Sequence, residues 1–206
     1  MNGILIFGDS ITSGRGITKN KCWVGRISKM YDEKDKNNYI VYNLGIPGES
    51  TTELIRRFRR ECQPRLHRQH PDDSFILIIN IGLNDSKHIN SSKLPKTSIY
   101  TFEKNINKLI DTGKQLTKKI FFVGLTPINE KKAILATGNY FLNKNIETYN
   151  RVIYKCCKKK NIHFVDLFNN WFNQNYQKFL NNDGLHLNEI GHQNIFKKVI
   201  KYLNRI

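Results

Sequence analysis

The chain opens with Ile4-Leu5-Ile6-Phe7-Gly8-Asp9-Ser10-Ile11-Thr12, an unbroken apolar run that stops at a glycine, an acid and a serine. Short runs with no polar interruption suit strands buried on both faces, as in a parallel sheet, and not strands with one wet face. Further runs occur at Tyr39 to Leu44, Phe75 to Ile81, Ile120 to Val123 and His163 to Val165. Between them lie segments with helical spacing of apolar residues: Leu54, Ile55, Phe58 and Cys62; Ile99, Phe102, Ile106, Leu109 and Ile110; Ile146, Tyr149, Ile153 and Cys156; Ile195, Val199 and Leu203. Each segment offers one apolar stripe to a sheet. Ser50 and Glu53 stand at capping-box spacing before the first of these helices, and Asn188 can cap the last.

Strand and helix patterns in alternation predict an α/β fold, a three-layer α/β/α flavodoxin-like sandwich around a five-stranded parallel sheet. No linker or internal repeat interrupts the pattern, so residues 1–206 are expected to form a single domain. Hydrophobic residues at 39% and aromatics at 11% suffice for a substantial core. A mean hydropathy of -0.53, with no long apolar run, excludes a membrane span. The first residues lack the basic lead and apolar length of an export signal, and a cytoplasmic location is expected. Cys22, Cys62, Cys156 and Cys157 show no metal-type spacing and are expected to be free buried thiols.

Ligands of open α/β sheets bind outside the carboxyl ends of the strands, and small and polar residues collect there in this sequence. Gly8-Asp9-Ser10 follows the first run and places a serine at the mouth of the sheet, where the chain turns into a helix. Gly8, Gly14 and Gly16 fit neither the dinucleotide fingerprint nor the Walker spacing, which weakens a phosphate-loop assignment. Asn43-Leu44-Gly45-Ile46-Pro47-Gly48 ends the second run with a turn whose Gly48 backbone can approach a substrate closely. Gly82-Leu83-Asn84-Asp85 offers a side-chain amide, and Asp183-Gly184-Leu185-His186 offers a carboxylate and an imidazole in one loop. These are the parts of acyl transfer: nucleophile, base, orienting acid and oxyanion donors.

With its four blocks in this order, the chain resembles the SGNH hydrolases, also called the GDSL esterase/lipase family, over essentially its whole length. The resemblance implies Ser10 as nucleophile, His186 as base and Asp183 as its partner. It further implies an oxyanion hole made by the Ser10 amide, Gly48 and Asn84. Two positions depart from the family pattern. Ile11 stands where the family name has leucine, and Leu187 follows His186 where many members have proline, which predicts a less rigid base-holding loop. The implied activity is cofactor-free cleavage of an ester or thioester of a small to medium acyl group. Family members include esterases, thioesterases, lysophospholipases and carbohydrate deacetylases. The alternative, from another class, is a noncatalytic module that holds an anionic lipid or nucleotide in the same crevice.

Asp183 and His186 as metal ligands would need a third ligand, which the spacing does not supply, so no metal is expected. His67, His70, His88, His163 and His192 form no coherent cluster and read as surface or satisfied core residues. Asp9 and Asp85 read as braces for their loops, and Gly45 as a turn residue. The loops from Ser86 to Lys96 and Thr126 to Tyr140 are long enough to shape a pocket. Trp171, Phe172, Tyr176 and Phe179 form either an acyl groove or a satellite hydrophobic cluster, the second being favoured. Arg15 either meets an anionic group or pairs with a carboxylate, and Trp23 belongs to the core. Lys and Arg total 34 against 17 Asp and Glu, a net charge of +17, yet no nucleic-acid motif is present. The clusters Arg56, Arg57, Arg59, Arg60 and Lys158 to Lys160 are expected to be solvated surface. If they act, they steer anionic substrates or touch an anionic lipid surface.

Overall fold

The computed structural model describes residues 2–35, 38–65, 74–90, 92–134 and 138–205. The five apolar runs become parallel strands: β1 (Asn2–Gly8), β2 (Tyr39–Gly45), β3 (Ser74–Asn80), β4 (Lys119–Val123) and β5 (His163–Val165). They lie in the order β2-β1-β3-β4-β5. The major helices are α1 (Ser10–Ser13), α2 (Trp23–Asp35), α3 (Thr51–Cys62), α4 (Ile99–Leu116), α5 (Asn143–Lys159), α6 (Phe168–Phe172) and α7 (Glu189–Leu203). Right-handed crossovers assign the faces. The chain steps one way from β1 to β2 and the other way through β3, β4 and β5, so α2 is put on one face and α3, α4 and α5 on the other. The contacts agree: α2 packs on α7, while α3 packs on α4 and α4 on α5.

The central strands are covered on both sides, and Ile4, Leu5, Ile6 and Phe7 are fully buried. β2 departs from the expectation of a doubly buried strand. It is an edge strand, half-buried along its length, with Ile40 exposed. Its β-branched and aromatic residues read alike for centre and edge, and position is decided by what the other strands pair with. The helical stripes hold at Leu54, Phe58, Cys62, Phe102, Ile106, Leu109, Ile110, Ile146, Tyr149, Ile153, Cys156, Ile195, Val199 and Leu203, all buried, whereas Ile99 is exposed at the start of α4. Glu53 reaches back to the Ser50 N–H at 2.7 Å, and Asn188 accepts the Gly191 N–H at 3.1 Å, as the caps predicted. Among the described residues, no helix is long and apolar enough to cross a membrane.

The order places a reversal of winding direction between β1 and β3, and such reversals open a crevice at the strand ends. There, Gly8 pairs with both Gly45 and Asn80 in register. A Cβ on Gly8 would lie 2.1 Å from Thr12 Oγ1 and 2.4 Å from the Asn80 carbonyl, so only glycine lets α1 fold down over the strand ends. Thr12 Oγ1 donates to Asn80 Oδ1 at 3.2 Å, and Asn80 Nδ2 donates to the Val123 and Gly124 carbonyls. The floor of the crevice is thus tied across β1, β3 and β4.

Candidate active site

Ser10 is the first residue of α1, a helix of four residues that Gly14 ends in the left-handed conformation. Capping this helix falls to Asp9, whose Oδ1 accepts the Ile11 N–H at 2.9 Å, so the Ser10 hydroxyl is released from that role. Ser10 Oγ instead donates to His186 Nε2 at 3.1 Å. His186 Nδ1 lies 2.6 Å from Asp183 Oδ2 and donates to it. The other carboxylate oxygen of Asp183 accepts the backbone N–H groups of Leu185 and His186, each at 3.0 Å. Burial alone would raise the Asp183 carboxyl. The hydrogen bonds from the His186 ring and the two backbone donors outweigh it, and the group sits below its ordinary value. An ionised Asp183 holding the Nδ1 proton leaves Nε2 as an acceptor facing the serine.

The loop that carries His186 lacks the proline and is anchored by other means. Leu187 is fully buried and bridges Leu180, while Asn181 donates from its side chain to the Leu187 carbonyl and from its backbone to that of His186. Gly184 presses this loop against Asn129, whose N–H donates to the Gly184 carbonyl at 2.8 Å.

Ile46-Pro47-Gly48-Glu49 forms a turn closed by the Glu49 N–H to the Ile46 carbonyl at 3.2 Å, with Gly48 at φ 81°. Proline then glycine at the central positions, the second with positive φ, makes this a type II turn. Nothing lies within 4 Å of where a Gly48 Cβ would be, so its outer side is open. Among the described residues no protein acceptor takes the N–H of Gly48 or of Ser10. Asn84 ties the two segments together: its Nδ2 donates to Asp9 Oδ2 at 3.3 Å and to the Glu49 carbonyl at 3.1 Å. Asn84, beyond the end of β3, thus contacts the chain neighbours of both Ser10 and Gly48.

Asp9 and Asp85 brace these segments. Asp85 accepts the Thr51 N–H at 2.9 Å and the Thr51 hydroxyl at 2.6 Å, which fixes the start of α3. Asp9 is wholly enclosed; burial raises its carboxyl from 3.8 to about 7, against the Ile11 hydrogen bond and with added repulsion from Asp85 and Glu49. Around the crevice, the two long loops are joined by His88, whose backbone pairs with Tyr140 and whose ring stacks on that tyrosine at 4.5 Å. The aromatic stretch divides. Trp171 and Phe179 are core, while Phe172 and Tyr176 line a cavity of about 710 Å³ with Asn129, Glu130, Lys131 and Lys144, a polar lining unsuited to an acyl chain.

Other side chains fall as follows. Trp23 is buried, and Arg15 is exposed without a carboxylate partner among the described residues. All four cysteines are free and buried. His88 is buried with both ring nitrogens engaged, by Ser92 and Asn145, and His163 stacks on Tyr202. His192 differs from a satisfied core residue. Its Nδ1 accepts the Trp23 N–H at 3.4 Å, but Nε2 has no partner among the described residues, and burial lowers the ring to about 4. His67 and His70 lie outside the described residues. The arginine cluster needs one correction: Arg56, Arg59 and Arg60 are exposed, but Arg57 turns inward onto Glu49. Glu49, Arg57 and Asn80 are structural partners of the site that no sequence motif singles out. An acid directly after the turn glycine, and an amide ending a doubly buried strand, were the available signals.

A parallel sheet covered on both faces carries serine, imidazole and carboxylate in one hydrogen-bonded chain at its carboxyl edge, an arrangement suited to acyl transfer. The family model described as GDSL-like Lipase/Acylhydrolase family matches residues 6–193, and the chain belongs to that family. Solved structures share the fold. A lipase/acylhydrolase from Enterococcus faecalis is similar with TM-score 0.77 and 19% identity, covering 98% of this chain and 95% of that one. An acetyl xylan esterase from Geobacillus stearothermophilus, Axe2-W215I, gives 0.71 and 21%, covering 97% and 93%. The psychrotrophic esterase EstA from Pseudoalteromonas sp. gives 0.70 and 18%, covering 99% and 100%. No curated protein sequence matches the chain.

Proposed function

We propose that residues 1–206 form one hydrolase domain that cleaves esters or thioesters of small to medium acyl groups through Ser10, His186 and Asp183. The observation that carries this reading is the continuous hydrogen-bond chain from Ser10 Oγ through the imidazole to Asp183, at 3.1 and 2.6 Å. Ser10 attacks the acyl carbonyl as His186 Nε2 takes its proton. The N–H groups of Ser10 and Gly48 and the Asn84 amide receive the oxyanion; Asn84 gives up its longer bond, the one to Asp9, to do so. The tetrahedral intermediate collapses as His186 protonates the leaving group, and the same imidazole then activates water to release the acid. Asp183 keeps the Nδ1 proton in place and stabilises the transient imidazolium. The four free thiols suit a reducing, cytoplasmic setting.

The test is hydrolysis of 4-nitrophenyl esters of increasing acyl length by wild type and Ser10→Ala, starting from acetyl because one structural relative is an acetyl xylan esterase. Turnover by wild type, loss of it in Ser10→Ala, and labelling of Ser10 by an organophosphonate are expected. Wild-type protein that neither turns over any of these esters nor reacts with the phosphonate would leave the binding-module alternative standing in its place.

A further inference from the structure

Glu49 follows the turn glycine, and every polar group it has is engaged. Its N–H closes the turn on Ile46 at 3.2 Å, and its carbonyl accepts the Asn84 amide at 3.1 Å. Its carboxylate, only 4% exposed, is gripped at both oxygens by Arg57, with Nε to Oε1 at 2.6 Å and Nη2 to Oε2 at 2.5 Å. Arg57 stands on α3, two turns after the helix start. Its Nη2 also donates to the Leu44 carbonyl at the end of β2 at 2.7 Å, and its guanidinium lies 5.6 Å from the centre of the Phe7 ring on β1. One side chain therefore references the turn to two strand ends and a helix. A buried ion pair contributes little net stability compared with apolar packing, because desolvating both charges offsets their attraction. What a forked, two-point grip does supply is a defined orientation.

We propose that the Glu49–Arg57 pair is the positioning device of the oxyanion hole, holding the Gly48 turn and the Asn84 amide at one shared point. This rests on the oxyanion roles assigned above to Gly48 and Asn84. Both side chains are largely buried against each other, so in this role they act through the donors and not on substrate. Without Arg57, the Glu49 carboxylate is left buried and unpaired; it then either swings to water or takes up a proton, and both outcomes release the backbone that sets the two donors. Displacing donors by as little as 1 Å costs about a hundredfold in rate. Lysine at position 57 cannot restore the grip, since a single ammonium offers no fork.

The experiment is a double-mutant cycle on 4-nitrophenyl acetate hydrolysis with Arg57→Ala, Asn84→Ala and the pair, together with Arg57→Lys, Glu49→Gln and thermal unfolding of each. Arg57→Ala is expected to lower kcat about ten- to a hundredfold with KM within about threefold, because the misplaced donors act on the transition state. In the Asn84→Ala background, removing Arg57 is expected to cost at least about threefold less than it does in wild type, since the Asn84 donor is already gone and only the Gly48 turn is left to displace. Added guanidinium ion should raise kcat of Arg57→Ala and leave wild type unchanged. A purely structural role would move thermal stability while the two kcat losses multiplied in full, and that result overturns the proposal. So does an Arg57→Ala enzyme within about twofold of wild type while Asn84→Ala is severely impaired, in which case the oxyanion assignment itself survives. If Asn84→Ala alone left kcat within about threefold, the oxyanion assignment would fall and this proposal with it. Should Arg57→Ala not fold, Glu49→Gln, which keeps shape and removes the charge, runs the same cycle with the same expected and overturning results.

Discussion

Replacing Asp183 by asparagine should be more damaging than replacing it by alanine, although asparagine is the closer mimic. In the native site, one carboxylate oxygen accepts two backbone N–H groups at 3.0 Å, and the other accepts the His186 Nδ1 proton at 2.6 Å. The amide of Asp183→Asn can satisfy the two backbone donors only with its carbonyl oxygen, which turns its NH₂ group toward Nδ1. Nδ1 must then accept, the proton moves to Nε2, and the imidazole faces the Ser10 hydroxyl as a donor instead of a base. A wrong tautomer of this kind costs about 10⁴-fold in kcat, or about 5 kcal/mol on the barrier. Asp183→Ala leaves the ring free to sample both tautomers and loses mainly orientation and charge. The native carboxylate is half-exposed, so solvent compensates part of the charge, and a loss of about 10²- to 10³-fold is expected. Initial rates on 4-nitrophenyl acetate, corrected with Ser10→Ala, measure both, and ¹⁵N shifts of the His186 ring report the tautomer. An Asp183→Asn enzyme as active as Asp183→Ala, or one whose Nδ1 still carries the proton, refutes the reasoning.

Three further outcomes follow from the site's surroundings. The Asp9 carboxyl, raised to about 7 chiefly by burial, keeps its proton in the folded chain over a range where the unfolded chain has lost it, so stability falls as pH rises from about 4 to 7. Asp9→Asn removes a slope of up to about 4 kcal/mol across that window, so its unfolding temperature should gain on wild type between pH 4 and pH 8; parallel pH curves for the two proteins would contradict the burial argument. Gly48→Ala should cost about 1–2 kcal/mol from positive φ alone, since the space is open, whereas Gly45→Ala drives its Cβ to 2.4 Å from the Ser13 nitrogen and should be worse; denaturant titration of both tests the order, and a reversed order contradicts it. If the net charge of +17 steers substrate, kcat/KM toward an anionic ester should fall with added salt while a neutral ester is unaffected; equal salt responses would reduce the charge to composition.

Much of this site was legible in the sequence because its parts lie in short local patterns. Gly8-Asp9-Ser10 ends an apolar run, and a run that stops at small and polar residues marks a strand's carboxyl end whatever its neighbours are. Asp183 and His186 are three residues apart, so their contact is a local property of one loop. The helix α2 is not legible in the sequence although Trp23, Val24, Ile27 and Tyr31 bury one stripe, because its start is embedded in a polar segment and carries Gly25. Arg57 is hidden in the sequence for a different reason. Its neighbours Arg56, Arg59 and Arg60 face water, and a charge run looks uniform until the strand-end carbonyl and the buried acid that select one member are known. Trp171 and Phe172 are adjacent yet part company, one inside and one outside, as helical rotation requires.

From the sequence alone follow the alternation of strands and helices, the parallel character of the sheet and the residue types at each strand end, because propensity and periodicity act over a few residues. Only the tertiary structure decided that β2 sits at the edge, that Asp9 and not Ser10 caps the first helix, and that Asn84 bridges the neighbours of Ser10 and Gly48. The Ser10 to His186 contact spans 176 positions, and nothing local to either residue specifies it. It exists because strand order and register, set by core burial summed over the whole sheet, bring those two loops to one end of the molecule.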